Sequence, residues 1–542
     1  MRYTSFEIDK KSGGKREIKA PNKKLKKLQQ HLAAYLYNCQ AEIEEQRNSS
    51  PVSFGFRKGG TIINHAKKHK RRRYVLNLDI RDFFPSIHFG RVRGYFLKDN
   101  NFLLNEEVAT TISQIACDGH SLPQGSPCSP VISELICQIL DLRLLRLAKK
   151  YGITYSRYAD DLTFSTNQKT FPKSIAYPDQ EELEKWTIGA ELLNKITGSG
   201  FEINHAKTRM QVQGSRQEVT GLIVNEKVNV KSAYYRNARA MCDNLFQTGT
   251  YFKECNDEKK SGGNPKPKLL STLGPLEGIL NHIYTVTQSE DKRSVSEQRK
   301  KPRAIRDLYR RFLFFKHCAV PNKPLIITEG KTDPLYLKQA IRQRCKQFPD
   351  LGAKKSERFR FKVKFFNYTS KNHDIMDLGG GSGDLKSIPL DYLRNFKFKQ
   401  GSRKPIAFKP MEHPVIILLD NDSGLHAVAS TLKKSFGTKV NQKTTSDFYH
   451  ITENLYLIKT PEIGQESCIE DLFPEVWTQK KLNNKSFNKH NSNFDKSREY
   501  GKEIFAKRVV MPNADKIDFS GFDPLLSRIV SVIKDHKTSN TT

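Results

Sequence analysis

TYSRYADDLTFST, residues 154–166, sets two adjacent aspartates, Asp160 and Asp161, between two runs rich in β-branched and aromatic residues. Such runs read as strands, and two of them this close read as a hairpin with the acid pair at its turn. Upstream, YVLNLDIRDFF (74–84) is another apolar run, and it ends on a third acid, Asp79. Each carboxylate taken singly reads as a solvated loop residue. Three at the ends of strands suit two magnesium ions, one activating an attacking hydroxyl and one neutralising a departing pyrophosphate. Magnesium asks few ligands of the protein in nucleotidyl transfer, because substrate phosphates supply the rest.

LPQGSPCSP (122–130) lies between these segments, and GFEINHAKTRM (200–210) follows them. The ordered series LDIRDFFPSI, LPQGSPCSP, YADD resembles the motifs of reverse transcriptases. That resemblance implies an RNA-directed DNA polymerase with the α+β right-hand fold of fingers, palm and thumb. It implies that Asp79, Asp160 and Asp161 are catalytic and bind Mg2+, and that Phe84 screens out a ribose 2′-hydroxyl. It implies that Gln124 and Gly125 contact template and incoming dNTP, with Lys207 near the triphosphate as electrostatic stabiliser or proton donor.

Two further segments narrow the family. QEVTGLIVN (217–225) carries Val219-Thr220-Gly221, similar to the VTG signature of retron reverse transcriptases. SFGFRKGGTIINHAKKHKRRR (53–73) resembles the retron finger segment, although the Asn of its Asn-Ala-x-x-His pattern stands one place early here, at Asn64 before His65-Ala66-Lys67-Lys68-His69. His65 and His69 share a helical face but lack a nearby Cys or carboxylate, which argues against a metal site. Lys67, Lys68, Lys70, Arg71, Arg72 and Arg73 form a basic run suited to RNA phosphates, or to a solvated loop. Tyr234, Tyr235, Arg236 and Arg239 in SAYYRNARA could stack on bases and hold phosphates, or simply pack a helix. The retron resemblance implies a cognate structured noncoding RNA as partner, priming from a guanosine 2′-hydroxyl, and a branched RNA–DNA product (msDNA).

At Pro324 the pattern changes. LIITEGKTDPLYL (325–337) is a short buried-type strand running into Glu329 and then a helical pattern, and VIILLDNDSG (415–424) ends a second such strand at Asp420 and Asp422. Ligands of open α/β sheets collect beyond the carboxyl ends of strands. This Glu with Asp-x-Asp resembles the TOPRIM domain of topoisomerases, primases and OLD-family nucleases. The resemblance implies an α/β domain with a mostly parallel sheet, Glu329 as general acid/base and metal ligand, Asp420 and Asp422 as ligands, and Mg2+ or Mn2+ as the ion. SCIEDLFP (467–474) resembles the segment that adds acidic ligands in the nuclease branch, here Glu470 with Asp471 beside it. EYGKEIFAKRVV (499–510) resembles its lysine motif, with Lys502 in the catalytic place. LGGGSGDLK (378–386) reads as a glycine turn.

The expected division is fingers and palm over 1–230, a helical thumb and RNA-binding region over 231–320, and a TOPRIM effector over 321–542. KKSGGNPKPK (259–268) reads as a loop, and LKKLQQHLAAYLYNCQAEIEE from Leu25 as an amphipathic helix. A formal charge of +34 over 542 residues favours a polyanionic partner, nucleic acid being the economical one, over a basic surface of merely solvated lysines. Nine cysteines without a CxxC pair fit a reduced, cytoplasmic bacterial protein. No stretch reads as a secretory signal or a membrane span.

As a whole the chain resembles Ec67-type retrons. This implies a role in defence against phage by abortive infection, with DNA or RNA, tRNA included, as the effector's target; a homo-oligomer is compatible with the same reading. Two rivals are a group II intron-like or other mobile-element reverse transcriptase, and a non-enzymatic RNA-binding scaffold with an inactive TOPRIM. Intact carboxylates at both places argue against the scaffold. The VTG segment points away from the intron enzyme.

Overall fold

The computed structural model describes residues 2–9, 14–47, 51–179, 185–254, 267–355, 358–397, 403–462, 464, 466–489 and 495–541. The chain divides into two compact units, Met1–Tyr235 with Thr285–Lys292, and Arg236–Tyr284 with Arg293–Thr542. Residues 231–320 are therefore shared between the two.

The first unit is built on a four-stranded antiparallel sheet, ordered Thr154–Tyr158, Asp161–Thr166, Tyr74–Asp79, Arg209–Val212. The long helix Ser129–Lys150 opens with proline in its first turn, where the missing N–H costs nothing. Val131, Ile132, Leu135, Ile136, Leu140 and Leu144 are all buried in the core shared with Leu76, Leu78, Leu162 and Phe164 of the sheet. The helix Lys23–Arg47 buries Ala33, Leu36 and Ile43 in the same core. Before it stands the antiparallel hairpin Tyr3–Asp9 and Lys15–Pro21.

The second unit holds a five-stranded sheet, ordered Lys364–Phe365, Leu325–Thr328, Val415–Leu419, Leu455–Lys459, Tyr449–Thr452. All neighbours are parallel except the last pair. Every residue of Leu325–Thr328, Val415–Leu419 and Leu455–Lys459 is buried, as expected of central strands covered on both faces. Helices Asp333–Gln343 and Asp523–Thr541 contribute Leu337, Ile341, Leu526 and Ile529 to its core. Residues 259–266 of the expected loop lie outside the described residues; Pro267–Leu270 pairs antiparallel with Tyr251–Glu254. Among the described residues no helix is long and apolar enough to cross a membrane.

Candidate active sites

In the first unit Tyr158 pairs with Asp161, so the hairpin turns on Ala159 and Asp160 alone. Ala159 sits at φ 55°, a left-handed conformation that costs a Cβ-bearing residue about 1–2 kcal/mol. Strain of this kind persists only where neighbours impose it. Here the Ile80 N–H donates to the Asp160 carbonyl at 3.0 Å. The backbone of Gly55 presses so close that a Cβ there would stand 2.4 Å from the Ala159 nitrogen. Asp79 lies directly across the sheet from Asp161. Register and turn thus bring the three acids to one end of the sheet.

Beneath the hairpin, Arg157 is wholly buried between two acids of the long helix, with Glu134 at 2.7 Å and Asp141 at 2.7 Å. The Ser53 hydroxyl donates to Glu134 at 2.6 Å and the Tyr155 hydroxyl to Asp141 at 2.7 Å. Burial pushes Glu134 up against the pull of Arg157. Sequence reasoning missed this network. Its signal was an acid, Glu134, inside the mostly apolar PVISELICQIL.

Burial, then the charge of Asp79, raises the Asp160 carboxyl. Burial, then Asp160 and Asp79, lifts Asp161 to about 7. Lys207 offsets part of this repulsion from 2.8 Å at Asp79, whose other oxygen accepts from the Asn204 side chain at 3.2 Å. Three carboxylates crowded closely enough to raise Asp160 and Asp161, with one lysine to offset them, are a donor set that fits magnesium. Among the described residues, no three acidic, His or Cys side chains are grouped as a ready-made ion cage. For magnesium in nucleotidyl transfer this is no conflict, since substrate oxygens complete the shell.

A cleft of about 1200 Å³ opens on these acids. Asp79, Asp160, Phe84, Gln124 and Lys207 all line it. Phe84 is flanked by Phe83 at 5.3 Å and Phe56 at 5.8 Å between ring centres. Gly125 takes φ 115°, and a Cβ there would meet the Lys19 carbonyl at 2.9 Å, so glycine is required on both counts. The Gln124 carbonyl accepts the Lys19 N–H at 2.8 Å. Arg16 and Lys19 of the N-terminal hairpin line the same cleft and were not singled out from the sequence.

In the second unit, Glu329 and Asp420 directly follow the adjacent parallel strands Leu325–Thr328 and Val415–Leu419. The Asp420 N–H donates to Glu329 Oε2 at 3.3 Å, and the Ile469 N–H to Asp420 Oδ1 at 3.0 Å. Asp422 accepts the Gly424 N–H at 2.8 Å. Glu470 is fully buried; no hydrogen bond of good geometry reaches either of its oxygens, and the Lys502 ammonium stands 2.9 Å away. Lys502 is also 4.0 Å from Asp420. Burial and neighbouring acids raise Asp420, and burial with Asp422 raises Glu329. Acids that one lysine cannot fully neutralise, one of them with unsatisfied oxygens, are donors that fit a divalent ion. Asp471 is spent otherwise, on Lys489 at 2.6 Å and the Cys468 N–H at 2.9 Å. Asp333 of EGKTD was not singled out from the sequence; it is buried, accepts the Gly330 N–H at 2.7 Å, and is lifted to about 7 by burial and Glu470. Glycines 380 and 381 take positive φ, and the Gly381 N–H donates to the Glu329 carbonyl at 2.8 Å.

Residues 8–225 match the family model for reverse transcriptase (RNA-dependent DNA polymerase). The retron Mx65 reverse transcriptase of Myxococcus xanthus is 35% identical over 257 residues, 44% of this chain and 55% of that protein. The retron Ec86 reverse transcriptase of Escherichia coli is 34% identical over 249 residues, 45% of this chain and 71% of that protein. The chain belongs to the retron reverse transcriptase family. The match spans little more than half of the Mx65 enzyme. A telomerase of Candida albicans aligns with TM-score 0.30 and 10% identity over 58% of this chain and 60% of that one, too loosely to bear on the fold.

The basic run of the segment 53–73 makes most of its contacts to groups of its own chain. Lys67 donates to the Ser289 carbonyl at 2.8 Å, Lys68 to the Pro51 carbonyl at 2.7 Å, and Lys70 pairs with Glu290 at 3.1 Å. Arg71 donates to the Glu226 carbonyl at 3.0 Å and Arg72 to the Thr154 hydroxyl at 3.3 Å, while Arg73 is exposed. His69 is buried and bridges the Ser165 and Ser156 hydroxyls at 2.7 and 2.6 Å, with its pKa held well down by burial. On the helix Ser232–Thr248, Tyr234, Arg236 and Arg239 are exposed and Tyr235 is half-buried.

Proposed function

We propose that the chain is a retron RNA-directed DNA polymerase that copies its cognate noncoding RNA into a branched RNA–DNA hybrid, starting from a guanosine 2′-hydroxyl, and that its C-terminal half is a metal-dependent TOPRIM nuclease acting in abortive defence against phage. The reading places it in the bacterial cytoplasm. The observation that carries it is the cleft where Asp79, Asp160, Phe84, Gln124 and Lys207 converge, with Asp161 across the sheet from Asp79.

Asp79, Asp160 and Asp161 would hold Mg2+, which when bound lowers the pKa of an attacking hydroxyl and takes up charge on pyrophosphate. Lys207, already paired with Asp79, brings a positive charge to the cleft wall where a triphosphate would lie. Phe84, wedged between Phe83 and Phe56, presents a fixed ring where a 2′-hydroxyl would collide. Gly125 lets the backbone approach closely because it carries no Cβ. In the second half, Glu329, Asp420, Asp422 and Glu470 would hold Mg2+ or Mn2+, which polarises a phosphodiester. Lys502 would balance the charge of Glu470 and Asp420.

The test is to purify the chain from cells carrying its upstream noncoding region and treat the bound nucleic acid with RNase and DNase, beside an Asp160→Asn, Asp161→Asn variant. Short DNA of fixed length joined to RNA in the wild type and missing from the variant is the expected result. RNA without DNA in both would overturn the polymerase reading.

A further inference from the structure

Three arginines of two consecutive helices, with a fourth from the helix Ser387–Phe396, converge on two acids, Asp377 and Asp391. Arg299, Arg306 and Arg310 come from helices Val295–Lys300 and Ala304–Phe314. Arg306 reaches Asp377 at 2.7 Å, Arg299 reaches it at 2.9 Å, and Arg310 bonds its other oxygen. Arg306 also donates to the Asp374 carbonyl at 2.6 Å, and Arg299 contacts His373 at 3.1 Å. Arg310 continues to Asp391 at 2.8 Å, which Arg394 meets from the other side at 3.2 Å. Arg306 and Arg310 are nearly buried, so their charges depend on these carboxylates.

Asp377 caps the helix Ser370–Met376 at φ 59° and starts the glycine loop. Four residues on, the Gly381 N–H holds the Glu329 carbonyl at 2.8 Å, and the Ser382 N–H holds the Glu329 carboxylate. Within the loop, the Gly379 N–H is fixed by Asp384 at 2.8 Å. Glycines at 379, 380 and 381 give this backbone little stiffness of its own. Its position comes from what grips its ends.

We propose that Asp377 is a positioning residue for Glu329, through which the helical segment 295–314 sets the geometry of the C-terminal site. The arginine clasp fixes the start of the loop, and the loop amides fix the acid. Any ligand that shifts the segment acts on Glu329, and by reciprocity occupation of the site stiffens the segment. The proposal rests on the reading of Glu329 as a metal ligand, and the experiment separates the two.

Asp377→Asn removes the charge without a backbone penalty, since asparagine tolerates the left-handed region at least as well as aspartate. In the full-length chain carrying Asp160→Asn and Asp161→Asn, hydrogen exchange at the Gly381 and Ser382 amides is measured together with Mn2+ affinity. Asp377→Asn should speed exchange at both amides while Leu325–Thr328 and Val415–Leu419 keep their protection, and should weaken Mn2+ binding roughly 10-fold, as loss of an outer-shell partner does. Asp377→Glu should recover most of both. Glu329→Gln is the control for the metal reading. Faster exchange in Asp377→Asn combined with wild-type Mn2+ affinity in Glu329→Gln supports the link and removes Glu329 from the metal site. Unchanged exchange and unchanged affinity in Asp377→Asn overturn the proposal.

Discussion

The two acid clusters are assembled in opposite ways. In the first unit a two-residue turn and one strand pairing bring Asp79, Asp160 and Asp161 together, and the helix behind supplies a buried ion network that fixes the hairpin. In the second unit Glu329, Asp420, Glu470 and Lys502 come from four separate stretches, each ending a strand or starting a short helical turn. The first cluster is held by local geometry under strain. The second is held by a parallel sheet, where order is set by long-range crossovers.

Four experiments break or sharpen that contrast. Asp161→Asn should lower primer extension on an RNA template by about 10³-fold, or 4 kcal/mol, while leaving the nuclease activity proposed for the second unit as in wild type. Loss of both activities would show the clusters to be one cooperative system. Arg157→Met should destabilise the first unit by about 3 kcal/mol in denaturant unfolding, because Glu134 and Asp141 are then buried without a partner. An equal shift in the second unit's transition would count against separate supports.

The third concerns pH. Asp161 has a folded value near 7, above the ordinary carboxylate value. Between those two values the folded state keeps a proton that the unfolded state has released, so stability falls as pH rises through that window. Without magnesium, wild type should lose stability from pH 5 to pH 7, and Asp161→Asn should lose less. Added Mg2+ should flatten the wild-type curve. The smallest effect is expected of Ala159→Gly, which relieves the φ of 55° and should stabilise the first unit by about 1 kcal/mol while slowing polymerisation. Unchanged polymerisation would mean the turn's strain serves no purpose at the site.

The first cluster was legible because its information is local. Strand periodicity and the spacing of YADD place Asp160 at the turn, and the structure keeps that arrangement. Two of the parallel strands of the C-terminal half were visible as unbroken apolar runs, LIIT and VIILL, ending at the acids. What the sequence concealed were partners far apart in the chain. Nothing near Gly55 says that it touches Ala159, and nothing near Asp377 says that three arginines some seventy residues upstream converge on it. In a related way, charge alone does not reveal whether a lysine of the basic run at 67–73 faces phosphate or, as Lys67 and Lys68 do here, a carbonyl of its own chain. Asp333 stayed hidden because a helix-starting Asp before Pro reads as a cap, whereas its burial beside Glu470 depends on the whole sheet.

The division of the chain has a bearing on how such a molecule can be taken apart or put together. The path leaves the first unit at Tyr235, returns for Thr285–Lys292, and leaves again. A cut after Tyr235 strands 285–292 with the wrong half; a cut after Lys292 does the same to 236–284. No single protease nick, truncation or gene fusion point yields two intact pieces. Exchanging the C-terminal half for another would therefore need the matching 236–284 stretch to travel with it.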